Sequence, residues 1–335
     1  MKKITALMLC ALMLTACRSK PAENHLGGDG QLELESGVIM DEDNIYLYLG
    51  GSLKKYNKKT NTLSIACGEP GCTHGSNEVA CKANQSYCFF NGDLIKIHNE
   101  PSYLEDGTVL REGRLYLCGA AEKQVYKNKL PEGVDREKYD NGIGTVLALG
   151  DDYLALFNRV YIYILDTDFN VKYTIFNIGS YGGGVYYANN EICYIDNLYS
   201  LQKLDMASGE PSPADLGGMK LTEGCTVDDV LWFSNGDMTL CSYDLKTGEV
   251  KEHAEKAVRL TSVGKYIEYL KYDKGIVCLY DTEKGEKLER KDLDINEDEL
   301  FFLDGNYYRY NNAKGELMRY DEDYSDVLNV WSMSE

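Results

Sequence analysis

Tyr243-Asp244-Leu245-Lys246-Thr247-Gly248-Glu249 returns as Tyr280-Asp281-Thr282-Glu283-Lys284-Gly285-Glu286. Leu204-Asp205-Met206-Ala207-Ser208-Gly209-Glu210 matches both, and Tyr310-Asn311-Asn312-Ala313-Lys314-Gly315-Glu316 is a weaker copy. Leu165-Asp166-Thr167-Asp168-Phe169-Asn170 and Tyr56-Asn57-Lys58-Lys59-Thr60-Asn61 are worn copies in which Asn stands where the others have Gly. After Gly, Asn is the residue that best tolerates positive φ, so Asn170 and Asn61 are expected at a left-handed turn position. The leading Asp or Asn caps the turn by accepting backbone hydrogen bonds. An apolar strand runs into each copy and another leaves it, so each copy is a hairpin turn.

Counted at the Asp or Asn, the copies from 166 onward lie 39, 39, 37 and 30 residues apart. A further apolar strand precedes each pair: Tyr153 to Phe157, Glu191 to Ile195, Val230 to Phe233, Tyr266 to Leu270 and Leu300 to Leu303. The strands entering the turns are Ile162 to Leu165, Leu198 to Leu204, Met238 to Tyr243, Ile276 to Tyr280 and Tyr307 to Tyr310. Short strands, tight turns and a period just under forty are the pattern of a propeller blade. The gap between 57 and 166 holds one more set: Tyr87 to Phe90, Leu94 to His98, Arg114 to Cys118 and Gln124 to Tyr126. The expectation is an all-β β-propeller of about seven four-stranded blades over residues 32–333, with six and eight as the neighbouring counts. The short last interval predicts an incomplete final blade. An N-terminal strand within Leu32 to Met40 would then complete it and close the ring, protecting the end strands.

These turns resemble those of bacterial extracytoplasmic propellers with quinoprotein-like, WD40-like or outer-membrane assembly-scaffold repeats. The resemblance covers most of residues 33–333 and implies the fold alone. Trp232 and Trp331 are the only tryptophans, so the Trp that ends quinoprotein repeats is missing, and with it the basis for expecting pyrroloquinoline quinone.

The start of the chain reads as an address. Met1-Lys2-Lys3 is basic, and Ile4 to Leu14 is an apolar run too short to span a bilayer. It ends in Leu14-Thr15-Ala16-Cys17, which resembles the lipobox of bacterial lipoproteins. That resemblance implies a signal peptide over 1–16, removed with Cys10, and a lipidated Cys17 as the mature N-terminus. Dual acylation is what stable anchoring needs. Residues 17–31 then form a flexible tether containing Gly27, Gly28 and Gly30. The expected location is extracytoplasmic, at the outer face of the cytoplasmic membrane, or in the periplasm or outer membrane of a Gram-negative host.

The insertion at 67–88 is rich in cysteine: Cys67, Cys72, His74, Cys81 and Cys88. Pro70-Gly71 fits the centre of a type II turn that folds Cys67 toward Cys72. Cys67, Cys72, His74 and Cys81 make a candidate closed site for structural zinc, with Cys88 as an alternate ligand. Disulfides Cys67–Cys72 and Cys81–Cys88 are an equal reading for an exported chain, and buried free thiols are the third. The segment resembles the Cys- and His-containing insert of surface propeller lipoproteins from anaerobic Gram-positive bacteria. That match covers residues 67–81 and implies no activity. Cys118, Cys193, Cys225, Cys241 and Cys278 read as small core residues.

No G-x-S-x-G, H-E-x-x-H or P-loop occurs. His98 and His253 sit in strand-like surroundings with no nucleophile motif, and Tyr181 to Gly184 reads as a blade connection. Asp166-x-Asp168-x-Asn170 and Asp292-x-Asp294-x-Asn296-x-Asp298 look like the start of a calcium loop but lack its Gly. A net charge of −19 on 335 residues argues against a nucleic-acid partner. The 27 Tyr suit half-buried strand faces. The expected function is a lipid-anchored, monomeric binding or scaffold module for a surface protein or glycan. The alternative is a carbohydrate-active or lactonase-like enzyme with its site at the central channel.

Overall fold

The computed structural model describes residues 31–32, 38–40, 44–57, 59–60, 62–67, 81, 86–103, 109–118, 122–129, 142–150, 152–158, 160–176, 184–196, 198–303 and 305–333. Every regular element among them is a strand, and the strands form seven antiparallel blades of four. From inner to outer strand, blade 1 runs from Val38–Met40 to Thr62–Ile65, blade 2 from Ser86–Phe90 to Lys123–Lys127 and blade 3 from Thr145–Leu149 to Val171–Phe176. Blade 4 runs from Val185–Ala188 to Pro211–Pro213, and blade 7 from Asp298–Leu303 to Val327–Ser332. Blades 5 and 6 share one strand, Val250–Val263. Its first half pairs outward of Thr239–Asp244 (Cys241 opposite Glu252), and its second half opens blade 6 (Ala257 opposite Lys271).

Side-chain alternation makes each blade apolar on both faces, so the blades must stack face to face. Seven buried clusters result, one for each pair of neighbours. Leu154 and Leu156 face blade 2 with Phe90 and Ile95, while Ala155, Ile162 and Ile164 face blade 4 with Tyr187 and Ile192. The remaining clusters join blades 4 and 5, 5 and 6, 6 and 7, and 1 and 2. The last joins blade 7 to blade 1 through Phe301, Leu303, Tyr310 and Leu317 against Leu47, Leu49 and Leu63. The ring is closed.

Its closure differs from the sequence expectation. Blade 7 completes itself, because Glu316–Tyr320 pairs with Val327–Ser332. Val38–Met40 is instead the inner strand of blade 1, paired with Asn44–Leu49. The seam is held by packing, by the parallel bridge Leu63–Met333, and by the Glu299 carboxylate accepting from the Gly50 N–H at 2.8 Å. The interval of 30 had another cause. The copy at Asn311 closes the hairpin between the second and third strands of its blade, whereas the copies at 57, 166, 205, 244 and 281 all link third and fourth strands. The true equivalent in blade 7 is Asp321, 40 residues after Asp281. Its carboxylate accepts from Ser325 N, and its own N–H donates to the Asp326 carbonyl, as Asp244 N–H does to Glu249. It carries no Gly, so the motif concealed it.

An antiparallel four-strand meander puts its first and third turns at one end and its second turn and blade-to-blade link at the other. One face of the disc is therefore a tight-turn face, where no connection exceeds six residues. The other, the loop face, takes the 20-residue link from blade 1 to blade 2, which contains most of the cysteine-rich insertion, and the 17-residue link from blade 2 to blade 3. It also takes the outer part of the long hairpin formed by Asp93–Tyr103 and Val109–Leu117. The short strand Gln31–Leu32 pairs with the inner strand of blade 3, Gln31 opposite Leu149 and Leu32 opposite Ala148. It lies on the channel side of that strand, with its upstream end toward the tight-turn face.

Candidate binding face

The tight-turn face is built from backbone capping. Asp244 Oδ1 accepts from the N–H groups of Lys246 (2.9 Å) and Thr247 (2.8 Å), Asp205 from Ala207 and Ser208, and Asp281 from Glu283 and Lys284. Gly209, Gly248 and Gly285 occupy the left-handed position with φ of 76°, 76° and 69°. The worn copy at Asp166 differs from expectation. Its turn is one residue shorter, Asp166 N–H donating to the Asn170 carbonyl, and Phe169, not Asn170, is left-handed with φ 62°. Asn61 lies outside the described residues. The same short form, with an Asp or Asn cap and a left-handed residue three positions on, recurs at Asp196, Asn235 and Asp321. It places Tyr199, Met238 and Tyr324 at positive φ. It also shortens the strand expected from Leu198, which starts at Leu201.

Positive φ strains a bulky residue, and what offsets that strain differs between the faces. On the tight-turn face Tyr324 is only 1% exposed, and the Phe169 ring packs edge-on to Phe90 at 6.1 Å. On the loop face Tyr199 is 49% exposed, and Arg259, with φ 57°, is exposed as well. Phe176, Leu198 and Tyr272 are exposed on that face too, at 63%, 67% and 58%. Exposed apolar side chains, together with two exposed left-handed residues, mark the loop face as the surface with a task beyond stability.

Between Arg259 and the link from blade 6 to blade 7, the loop face opens a cleft of about 600 Å³. Its floor includes Leu270 and Val277, and its rim Lys291, Asp294 and Asn296. The acidic run here is used structurally. Asp292 is gripped by Arg290 through two 2.8 Å bonds, and Asp298 by Arg309 through two more. These guanidiniums occupy the carboxylates that the calcium-loop reading would need. Among the described residues no group of three His, Cys, Asp or Glu side chains is placed to hold a metal ion.

The described cysteines of the insertion split between two clusters. Cys67 and Cys81 pack between blades 1 and 2 beside Tyr48, Leu53 and Tyr87, and Cys118 joins them there. Cys88 lies on the opposite face of blade 2, among Phe90, Ile95 and Leu115. Burial pushes its thiol up to about 12, which keeps it protonated. Cys72, His74, Cys10 and Cys17 lie outside the described residues. Cys193, Cys241 and Cys278 are fully buried core residues.

One contact escaped the sequence. Ser242 Oγ lies 3.0 Å from His253 Nε2, and the imidazole packs at a tilt against Trp232, ring centroids 4.8 Å apart. Burial, aided by Lys251, holds the imidazole below its ordinary pKa. No carboxylate among the described residues hydrogen-bonds the other ring nitrogen, so the pair lacks the third member that orients a nucleophile site. Ser242 and His253 lie on adjacent strands of blade 5, a proximity no linear motif encodes.

No protein-family model matches the sequence, and no curated protein matches it. Solved structures do. The chain is similar to the computationally designed Ika8 protein, with 11% identity over 92% of this chain and 90% of that one and a TM-score of 0.55. It is similar to Hsv2 of Kluyveromyces lactis, with 9% identity over 91% and 100% and a TM-score of 0.54. It is also similar to PorZ, an essential surface component of the type-IX secretion system of Porphyromonas gingivalis, with 10% identity over 92% of this chain and 39% of that one and a TM-score of 0.54. Identities this low speak to the fold alone.

Proposed function

We propose that the chain is a lipid-anchored extracytoplasmic propeller whose loop face is a binding or scaffold surface. The observation that carries this reading is the inequality of the two faces. One is made of short capped turns. The other gathers the long connections, the exposed Phe176, Leu198, Tyr199 and Tyr272, and the cleft beside Arg259. Propellers commonly bind ligands on such loop-rimmed, concave ends. The placement of Gln31 at the tight-turn end of its pairing with Leu149 supports this reading, because an anchor upstream of it would present the loop face away from the membrane. The lipobox-like Leu14-Thr15-Ala16-Cys17 supplies the anchor.

The anchor is tested by Cys17→Ala in the full chain. The variant is expected to leave the membrane fraction or to accumulate with its signal uncleaved. Normal signal removal with unchanged membrane retention contradicts the reading.

A further inference from the structure

We infer that Asn91 is a site of spontaneous covalent modification, where the side-chain amide is exchanged through a succinimide for aspartate and isoaspartate. The inference stands apart from the binding-face reading.

Asn91 and Gly92 form the whole loop between Ser86–Phe90 and Asp93–Tyr103, with Phe90 opposite Asp93. Both are left-handed, with φ of 50° and 79°, as a two-residue hairpin turn of this kind requires. The sequence repeats the Asn-Gly pair at Asn141-Gly142 and Asn235-Gly236. Asn141 lies outside the described residues. The other two pairs are treated in opposite ways by the fold. Asn235 is 7% exposed, and its Oδ1 accepts from the N–H groups of Asp237 and Thr239, both at 2.9 Å. Its Nδ2 donates to Met219 Sδ at 3.9 Å, so the amide is held at both ends. Asn91 is exposed, and among the described residues its amide makes no hydrogen bond. Gly92 is exposed too, its N–H donates to no described residue, and nothing lies within 4 Å of where a Cβ would stand.

These are the conditions the chemistry needs: an amide carbon free to turn, a following nitrogen with no side chain to shield it, and a loop tip that opens without unfolding a blade. The Gly92 nitrogen gives up its proton and forms a bond to Asn91 Cγ. The bond from Cγ to Nδ2 breaks, and ammonia leaves with that proton. Water then opens the ring at either carbonyl. One opening leaves aspartate at position 91, and the other leaves isoaspartate, in which the main chain runs through the side chain. An amide and water have become a carboxylate and ammonia, so no oxidant or reductant enters. Each product adds negative charge to the tight-turn face. Isoaspartate also lengthens the backbone of a loop whose two residues match its strands. Asn189-Asn190 in blade 4 is a built-in control: an exposed left-handed pair, with φ of 52° and 58°, whose attacking residue carries a side chain.

The test incubates the folded full chain in mildly alkaline water enriched in heavy oxygen, which marks each carboxylate newly made from an amide. Asn91, Asn189 and Asn235 are then read by peptide mass spectrometry. Asn91 should convert several-fold faster than the other two, with isoaspartate the larger product. In the denaturant-unfolded chain Asn91 and Asn235 should convert alike. Gly92→Asn, which gives this turn the residue pair blade 4 already uses, should slow Asn91 several-fold. No conversion of Asn91 in the folded chain, equal conversion at Asn189 or Asn235, an Asn235 that lags as far in the unfolded chain, or an unchanged rate in Gly92→Asn overturns the inference.

Discussion

The two faces of the disc solve the same problem, turning a strand back on itself, with different chemistry. On the tight-turn face an Asp caps the turn and Gly209, Gly248 or Gly285 takes the left-handed position, so backbone strain is avoided. Where a bulky residue is left-handed there, as at Phe169 and Tyr324, burial or ring packing offsets the strain. On the loop face Tyr199 and Arg259 are left-handed and exposed; the Asp196 cap and the Glu223 carboxylate hold their backbones, but no burial covers their side chains. Stability alone would replace both by Gly or Asn. The difference teaches that the repeated turns are scaffold, while the irregular ones carry selection for something outside the fold.

The largest effect expected from this contrast is on the tight-turn face. Gly248→Val and Gly285→Val meet no backbone clash, since the added Cβ of Gly248 has open space and that of Gly285 only the Tyr280 hydroxyl at 3.7 Å. The whole cost is conformational, about 1–3 kcal/mol each, read as a lower denaturation midpoint. Wild-type midpoints in both would remove the stated basis of that face.

A smaller effect follows from the charge on the cap. The Thr247 backbone N–H, then that of Lys246, holds the Asp244 carboxyl below its ordinary 3.8, with slight burial opposing. A folded pKa below the unfolded one gives stability that is present above about pH 4 and lost as pH falls through the folded value. Asp244→Asn keeps an acceptor but not the charge. It should cost ~0.5–1 kcal/mol at neutral pH, with the difference from wild type fading as pH falls through the folded pKa. A difference that persists in acid would assign the effect to packing instead.

The smallest effect has the opposite sign. Tyr199→Asn on the loop face relieves φ 62° without uncovering any core, so stability should rise by ~0.5 kcal/mol. Loss of stability on this substitution would mean that Tyr199 is structural, and the contrast between the faces would blur.

Much of this was legible in the sequence because a propeller repeats its local chemistry. Tyr153 to Phe157 and Glu191 to Ile195 are strands with the same bounds as expected. What repetition hides is substitution of one solution for another. The cap at Asp321 works without a Gly, so the last blade looked short when it was complete. The motif at Asn311 is a weaker copy in a different hairpin. The ring's seam was misjudged for the same reason, since closure by packing of Leu63 and Leu317 leaves no pattern along the chain. The faces could not be told apart until each turn had been assigned to its place in a blade. Likewise, Cys118 reaches the cluster of Cys67 and Cys81 only because blade 2 folds its third strand beside its first connection. Arg259 had no signal at all, its left-handed backbone and its bond to Glu223 being visible only in the fold.

The most direct test of the division between the faces is lysine acylation of the membrane-anchored protein, read peptide by peptide against soluble Cys17→Ala. Lys246 and Lys284 mark the tight-turn face, and Lys274 and Lys291 the loop face, all four exposed. Anchoring should slow modification of Lys246 and Lys284 several-fold and leave Lys274 and Lys291 at their soluble rates. Protection of Lys274 and Lys291 instead, or equal rates on both faces, would contradict the account.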